Sequence, residues 1–198
     1  MFDAFVVGLG NPGKEYARSR HNVGEEAVVE IARRYGEVLK ASRDSALTAD
    51  ITIGSGGGSK RILLAFPTTY MNESGQAVSK LMRRHGIRDI ATLGPNFIVL
   101  QDELDLSPGI VRVKFGGGLG GHNGLRSITS HVGTQDYTRV RIGVGKPPSK
   151  EQGANHVLSK VPAAERKILD VAVQVAADAV ESIVAVGIDA TMNKFNSL

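Results

Sequence analysis

Cysteine is absent from the 198-residue chain, which excludes a disulfide scaffold, thiol nucleophiles, zinc ribbons and iron–sulfur ligation. Aromatic residues make up only 5% of it, too few for the stacking array with which a generic single-strand binder holds bases. No apolar run reaches the length of a membrane span, because Asp170, Asp178 and Glu181 interrupt the C-terminal stretch. The apolar start, Met1 to Gly8, lacks a basic head and meets a glycine turn at once, so it does not read as a signal peptide. A soluble cytoplasmic protein is the expectation. Among the five histidines there is no His-Glu-x-x-His or comparable ligand spacing, and no G-x-S-x-G elbow occurs. Metal and serine-nucleophile chemistry therefore lack their signatures.

With 41% hydrophobic residues over this length, the chain can bury a core as one domain, residues 1–198. Lys and Arg number 24 against 20 Asp and Glu, giving a net charge of +4 and a pI near 9.4. The balance tilts the partners toward polyanions without demanding one.

Ala4 to Leu9 is a continuous apolar run ending in glycine, the pattern of a buried first strand. After a turn-rich loop, Asn22 is a capping residue type, and Val23, Ala27, Val28, Ile31, Ala32 and Tyr35 recur at helical spacing until Gly36. Thr48 to Gly54 and Lys60 to Phe66 read as strands joined by a glycine-rich hairpin tip. A helix is expected from Glu73 or Ser74 to Gly86, strands over Asn96–Gln101, Ile110–Phe115 and Tyr137–Val144, a short helix over Leu125–Val132 and a long one over Pro162–Val186. Pro162 suits its first turn. Strands and helices intermix without repeats or linkers, which argues a three-layer α/β domain. Several neighbouring strands lack an intervening helix, so the sheet should be twisted and mostly parallel but mixed, with helices on its flanks.

Gly8-Leu9-Gly10-Asn11-Pro12-Gly13 fits the spacing of a dinucleotide-binding turn, yet the helix starts only after Asn22 instead of within the glycines. A nicotinamide-linked oxidoreductase is correspondingly disfavoured. The side chains of this loop carry more. Asn11, Tyr16, His21 and Asn22 crowd the connection between first strand and first helix, where His21 either fills a polar gap or does chemistry. Thr68 to Gly75 forms a polar bridge from strand to helix, with Asn72 or Ser74 as a cap or as a functional group. Asp102 ends an apolar strand, where its carboxylate could accept a hydrogen bond from an imidazole and favour its charged form. A solvated turn is the simpler alternative for that acidic cluster. The run Gly116 to Gly124 supplies backbone that large ligands can approach, with His122 and Asn123 at its rim.

Taken together, Gly8 to Gly13, Glu15-Tyr16, Arg20-His21-Asn22-x-Gly24, Pro67 to Gly75, Asp102-Glu103-Leu104-Asp105 and Gly120 to Arg126 resemble the signatures of bacterial-type peptidyl-tRNA hydrolases, in order and in a chain of similar length. Gln101, where that family often has histidine, and Ser19, often threonine, are departures. The resemblance implies hydrolysis of the ester that joins a peptide to the terminal ribose of tRNA, by a monomer that needs neither metal nor cofactor and no obligate protein partner. It implies His21 as general base, Asp102 as stabiliser of its protonated form, and Asn11 and Asn72 as holders of the ester and first peptide unit. Tyr16, Tyr70, Met71 and Asn123 would line the substrate cleft, and Lys114 and Arg141 would clamp a tRNA phosphate unless they are merely solvated strand-edge charges. A noncatalytic RNA-binding relative of the same fold is the alternative, against which the set His21, Asp102, Asn11 and Asn72 argues.

Overall fold

The structure is a computed structural model that describes residues 1–198. Its centre is four mutually parallel strands, β1 (Ala4–Gly8), β4 (Lys60–Pro67), β5 (Phe97–Glu103) and β7 (Thr138–Gly143). β3 (Ala46–Ile53) runs antiparallel on β4, with the short β2 (Lys40–Ala41) outside it, and β6 (Val111–Phe115) closes the opposite edge antiparallel to β7. The resulting sheet has 7 strands in the order β2-β3-β4-β1-β5-β7-β6. β1 is wholly buried because it has a strand on either side and helices on both faces, which is why its sequence is continuously apolar and not alternating.

Helices α1 (Val23–Arg34), α5 (Ala163–Val186) and α6 (Ile188–Phe195) cover one face, packing Val28, Ile31, Ala176, Val180 and Phe195 onto Val6, Ile98, Leu100 and Val140. On the other face, α2 (Ser74–Arg84) and α3 (Asn123–Val132) set Val78, Leu81, Leu125 and Ile128 against Phe5, Val7, Phe97 and Val99. The mixed, mostly parallel sheet between helical layers is as expected, as is the β3–β4 hairpin. Three elements have no counterpart in the sequence reading: β2, the six-residue α4 (Gly153–Leu158) and α6. Gly187, at φ 92°, ends α5 and starts α6 at once, so a helix hides behind a stop signal. Pro162 stands at the N-cap of α5, one position before the first turn.

Gly8 at the end of β1 and Gly24 in α1 make room for protein, not for a pyrophosphate. A Cβ at Gly8 would lie 2.2 Å from the Gly24 carbonyl oxygen, and one at Gly24 would lie 2.3 Å from that of Leu100. Helix α1 can thus enter directly against β1 and β5, and Leu9 takes a hydrogen bond from Glu25 N–H at 3.0 Å while donating to Leu100 at 3.1 Å. This close entry sets His21, in the single turn Arg20–Asn22 before α1, above the carboxyl end of β5. In open α/β sheets the crevice at such strand ends is where ligands bind.

Candidate active site

Asp102 is only 3% exposed at the end of β5, and both of its oxygens are engaged by imidazoles. Oδ2 lies 2.8 Å from His21 Nδ1, and Oδ1 lies 2.7 Å from His122 Nε2. A carboxylate only accepts, so both ring nitrogens donate to it. His21 is left with Nε2, which has no protein partner and serves as its lone-pair nitrogen when the ring is neutral. His122 has the opposite arrangement: its Nδ1 accepts from the backbone N–H groups of Gly124 at 3.1 Å and Leu125 at 3.4 Å, capping α3. The hydrogen bonds thus assign one proton to His122, on Nε2.

Burial pulls the pKa of His21 down, but the adjacent Asp102 charge and hydrogen bond outweigh it, so His21 lies above the ordinary histidine value. For Asp102, burial pushes the carboxyl up and the two imidazoles more than reverse this, holding it well below the usual carboxylate range. His21, Asp102 and His122 also form the kind of three-donor group that could hold a metal ion, a cluster that local spacing in the sequence cannot reveal. The donor set does not fit one. His122 Nε2 must keep its proton as long as Nδ1 faces two N–H donors, whereas a metal-bound imidazole turns a bare nitrogen to the ion and an N–H to its second partner.

Asn22, a cap by residue type, makes no capping bond. Its side chain instead clasps the backbone of Asn11, accepting from Asn11 N–H at 2.9 Å and donating to Asn11 C=O at 2.9 Å. The carboxamide of Asn11 accepts from Met71 N–H at 2.7 Å through Oδ1, leaving its NH2 as a donor toward the cleft. Asn72 and Ser74 do not cap α2 through their side chains either: Ser74 Oγ donates to Met71 C=O at 2.7 Å, and Asn72 is exposed.

Two cavities meet at His21. One, of about 330 Å³, is walled by Asn11, Tyr70, Met71, Asn72, Asn123 and the α4 residues Ala154, Val157 and Leu158. The other, of about 320 Å³, continues past Asp102, Leu104, Leu119 and His122. Behind the Leu119–Gly120 segment, a third space of about 200 Å³ holds Lys114, Arg139 and Arg141 beside Gln101, Glu103 and Asp105. Nine of the candidates therefore lie along one connected groove. Tyr16 does not line these cavities; it is half-buried, and its carbonyl accepts from Ser19 N–H within the β1–α1 loop. Met71 is buried beneath α3, contributing a wall more than a reachable surface.

Three contributors are not evident from local sequence pattern. His122, placed at a loop rim, is the second partner of Asp102, because α3 begins earlier than its apolar periodicity indicates. Arg20 ties the His21 turn down with two 2.9 Å bonds to Glu165 on α5 and one of 2.9 Å to the His156 carbonyl of α4; no spacing links residues so far apart. Arg139 is 2% exposed and donates to the carbonyls of Gly118 and Gln135, so it anchors the glycine loop while its neighbour Arg141 lines the groove.

Sheet, flanking helices and a polar groove around a histidine–carboxylate pair at the strand ends define a three-layer α/β protein with a histidine-centred site. The family model for peptidyl-tRNA hydrolase matches residues 5–198. Peptidyl-tRNA hydrolases of Leifsonia xyli and Cutibacterium acnes are 48% and 46% identical to the chain, with 97% of it aligned in each case and 96% and 97% of the relatives covered. A crystal structure of the peptidyl-tRNA hydrolase from Acinetobacter baumannii, 39% identical, superposes with a TM-score of 0.84 over 100% of this chain and 96% of the other. The chain belongs to the peptidyl-tRNA hydrolase family.

Proposed function

We propose that the reaction of this family, hydrolysis of the ester between a peptide and the terminal ribose of tRNA, is run in this chain by His21 acting as general base for a water molecule. The observation that carries the reading is the His21 Nδ1–Asp102 bond of 2.8 Å, which leaves Nε2 as the basic nitrogen on the groove. Nε2 takes a proton from water as the water oxygen bonds to the ester carbonyl carbon. Asp102 stabilises the imidazolium that forms. When the tetrahedral intermediate collapses, the bond from carbon to ribose oxygen breaks and that oxygen takes the proton back from His21. An alcohol leaves more readily than an amine, so one tuned histidine with nearby amide donors suffices, without metal or cofactor.

Asn11 presents only donors to the groove, since its oxygen is held by Met71 N–H. An N-blocked aminoacyl ester offers a carbonyl to such a group, whereas a free one brings an ammonium, donor against donor; this is a physical basis for sparing aminoacyl-tRNA. Asn72, Asn123 and Tyr70 would hold the first peptide unit, with Tyr16 a more distant contributor. Lys114 and Arg141 would take a phosphate at the far end of the groove, in keeping with the basic composition. No helix is long and apolar enough to cross a membrane, and the reading is of a single-domain cytoplasmic monomer. Incubation with N-blocked and free aminoacyl-tRNA should release the amino acid from the first only; equal release from both, or from neither, would overturn the assignment.

A further inference from the structure

The hydrogen-bond network contains one chemical group that the mechanism above does not use. His122 is largely buried, stands 20 residues from Asp102 in the chain, and bonds to it at 2.7 Å. Its other nitrogen is occupied by the N-terminus of α3, and its ring centroid lies 5.2 Å from that of His21. The two imidazoles thus flank one carboxylate, one facing the groove with a free nitrogen and one locked by backbone. Gly120 and Gly121, both at positive φ, precede His122, and the loop they belong to is held at Gly118 by Arg139 and at its far end by the His122–Asp102 contact.

We infer that His122 is a positioning residue for the hydrolytic step: its Nε2–H holds Asp102 in the orientation that presents Oδ2 to His21 and shares the carboxylate charge that would otherwise act on His21 alone. The inference rests on His21 being the base. Without the donor, a buried carboxylate oxygen loses its partner and Asp102 is free to rotate, so His21 is held less well. The remaining charge then falls more fully on His21, and its titration moves to higher pH.

Two substitutions separate this role from simple capping, because the two nitrogens of the ring have different amide mimics. His122→Asn keeps an acceptor near the Nδ1 position, and asparagine is a good N-cap, but it does not reach Asp102. His122→Gln carries an NH2 near the Nε2 position and loses the local cap. We expect His122→Asn to lose about tenfold in kcat with KM little changed, the worth of a hydrogen bond to a charged group. The acid limb of its pH–rate profile should move upward while thermal stability is kept. His122→Gln should recover most of that kcat and the parent pH profile, at a lower melting temperature. NMR titration of the His21 ring in parent and His122→Asn protein reads the same coupling without turnover. An unmoved His21 titration, or kcat losses that follow melting temperature in both variants, would overturn the inference. Retained turnover in His21→Ala would instead remove the base assignment, leaving the measured coupling of the two rings intact.

Discussion

Asp102 and Lys114 project from strands two places apart in one sheet, yet their surroundings differ in kind. Asp102 is buried with both oxygens bonded to fixed rings, one of them locked by the N-terminus of α3. Lys114 is exposed on the edge strand β6, its stem lying along Gly117. The floor of the groove behaves as a unit, because a buried polar group that loses one partner forfeits its full desolvation cost. The rim interacts through water, so its charges act singly and salt weakens them. The proposed mechanism accordingly places chemistry on the first and substrate recruitment on the second.

The largest effect should come from His21→Ala, which removes the lone pair: kcat is expected to fall by about 10²–10⁴-fold while tRNA affinity is kept. Ester-release assays and tRNA binding read the two separately, and parallel losses would erase the contrast between floor and rim. Asp102→Asn should lose a comparable amount for a reason specific to this floor. His122 donates toward residue 102, so the introduced amide must turn its oxygen to His122 and its NH2 to His21. That NH2 donates to Nδ1 and drives the ring proton onto Nε2, the nitrogen that has to accept from water. A variant within threefold of the parent would show that the floor tolerates rearrangement.

The acid limb of the parent pH–rate profile should lie above the ordinary histidine value of 6.5, since His21 is raised by Asp102 after burial has lowered it. Activity rises as pH passes through that point and the base is freed. The same pair contributes to stability with opposite signs. The raised His21 stabilises the fold fully below 6.5 and less as pH rises through its folded value. The depressed Asp102 stabilises it above 3.8, and that contribution is lost as pH falls through its folded value. His21→Ala should therefore flatten the stability profile on the neutral side, as melting temperatures across pH can show; a profile parallel to the parent's would sever the link.

The smallest effects belong to the rim. Lys114→Ala and Arg141→Ala should each weaken tRNA binding and reduce the slope of log affinity against log salt by about one phosphate equivalent or less, and a minimal N-blocked ester should be hydrolysed normally. Arg141, with a buried Nε that lacks a partner, should have the greater effect of the two. If either variant lost activity equally on the minimal ester and on full-length substrate, that residue would belong to the floor.

Much of this contrast was legible in the residues. The apolar run of β1, the spacing from Val23 to Tyr35 and the hairpin around Gly56–Gly58 report their own elements, since burial of a face imposes a local period. His21 and Asp102 were visible as a potential pair, Asn11 and Asn72 as polar groups in loops, and the resemblance supplied the roles of those two and the candidates Lys114 and Arg141. What stayed hidden depends on partners distant in the chain. Asn22 precedes a helix and has a capping side chain, but Asn11 lies closer to that amide than the helix N-terminus does. His122 is an unusual N-cap, so periodicity starts α3 too late. β2 and α4 are too short to show a period.

The sequence by itself determined the longer elements, the layered α/β class, the family and most of the chemically capable side chains, because apolar periodicity and residue type are local properties. The tertiary structure decided which polar atoms meet. Pairing of β1 with β5, and entry of α1 against both strands so close that Gly8 and Gly24 can carry no side chain, bring His21 to Asp102 across 81 residues. The packing of α3 then brings His122 to the same carboxylate. Hydrogen bonds exist only within about 3 Å and a narrow range of angles, and no local pattern encodes a distance set by strand register and helix packing.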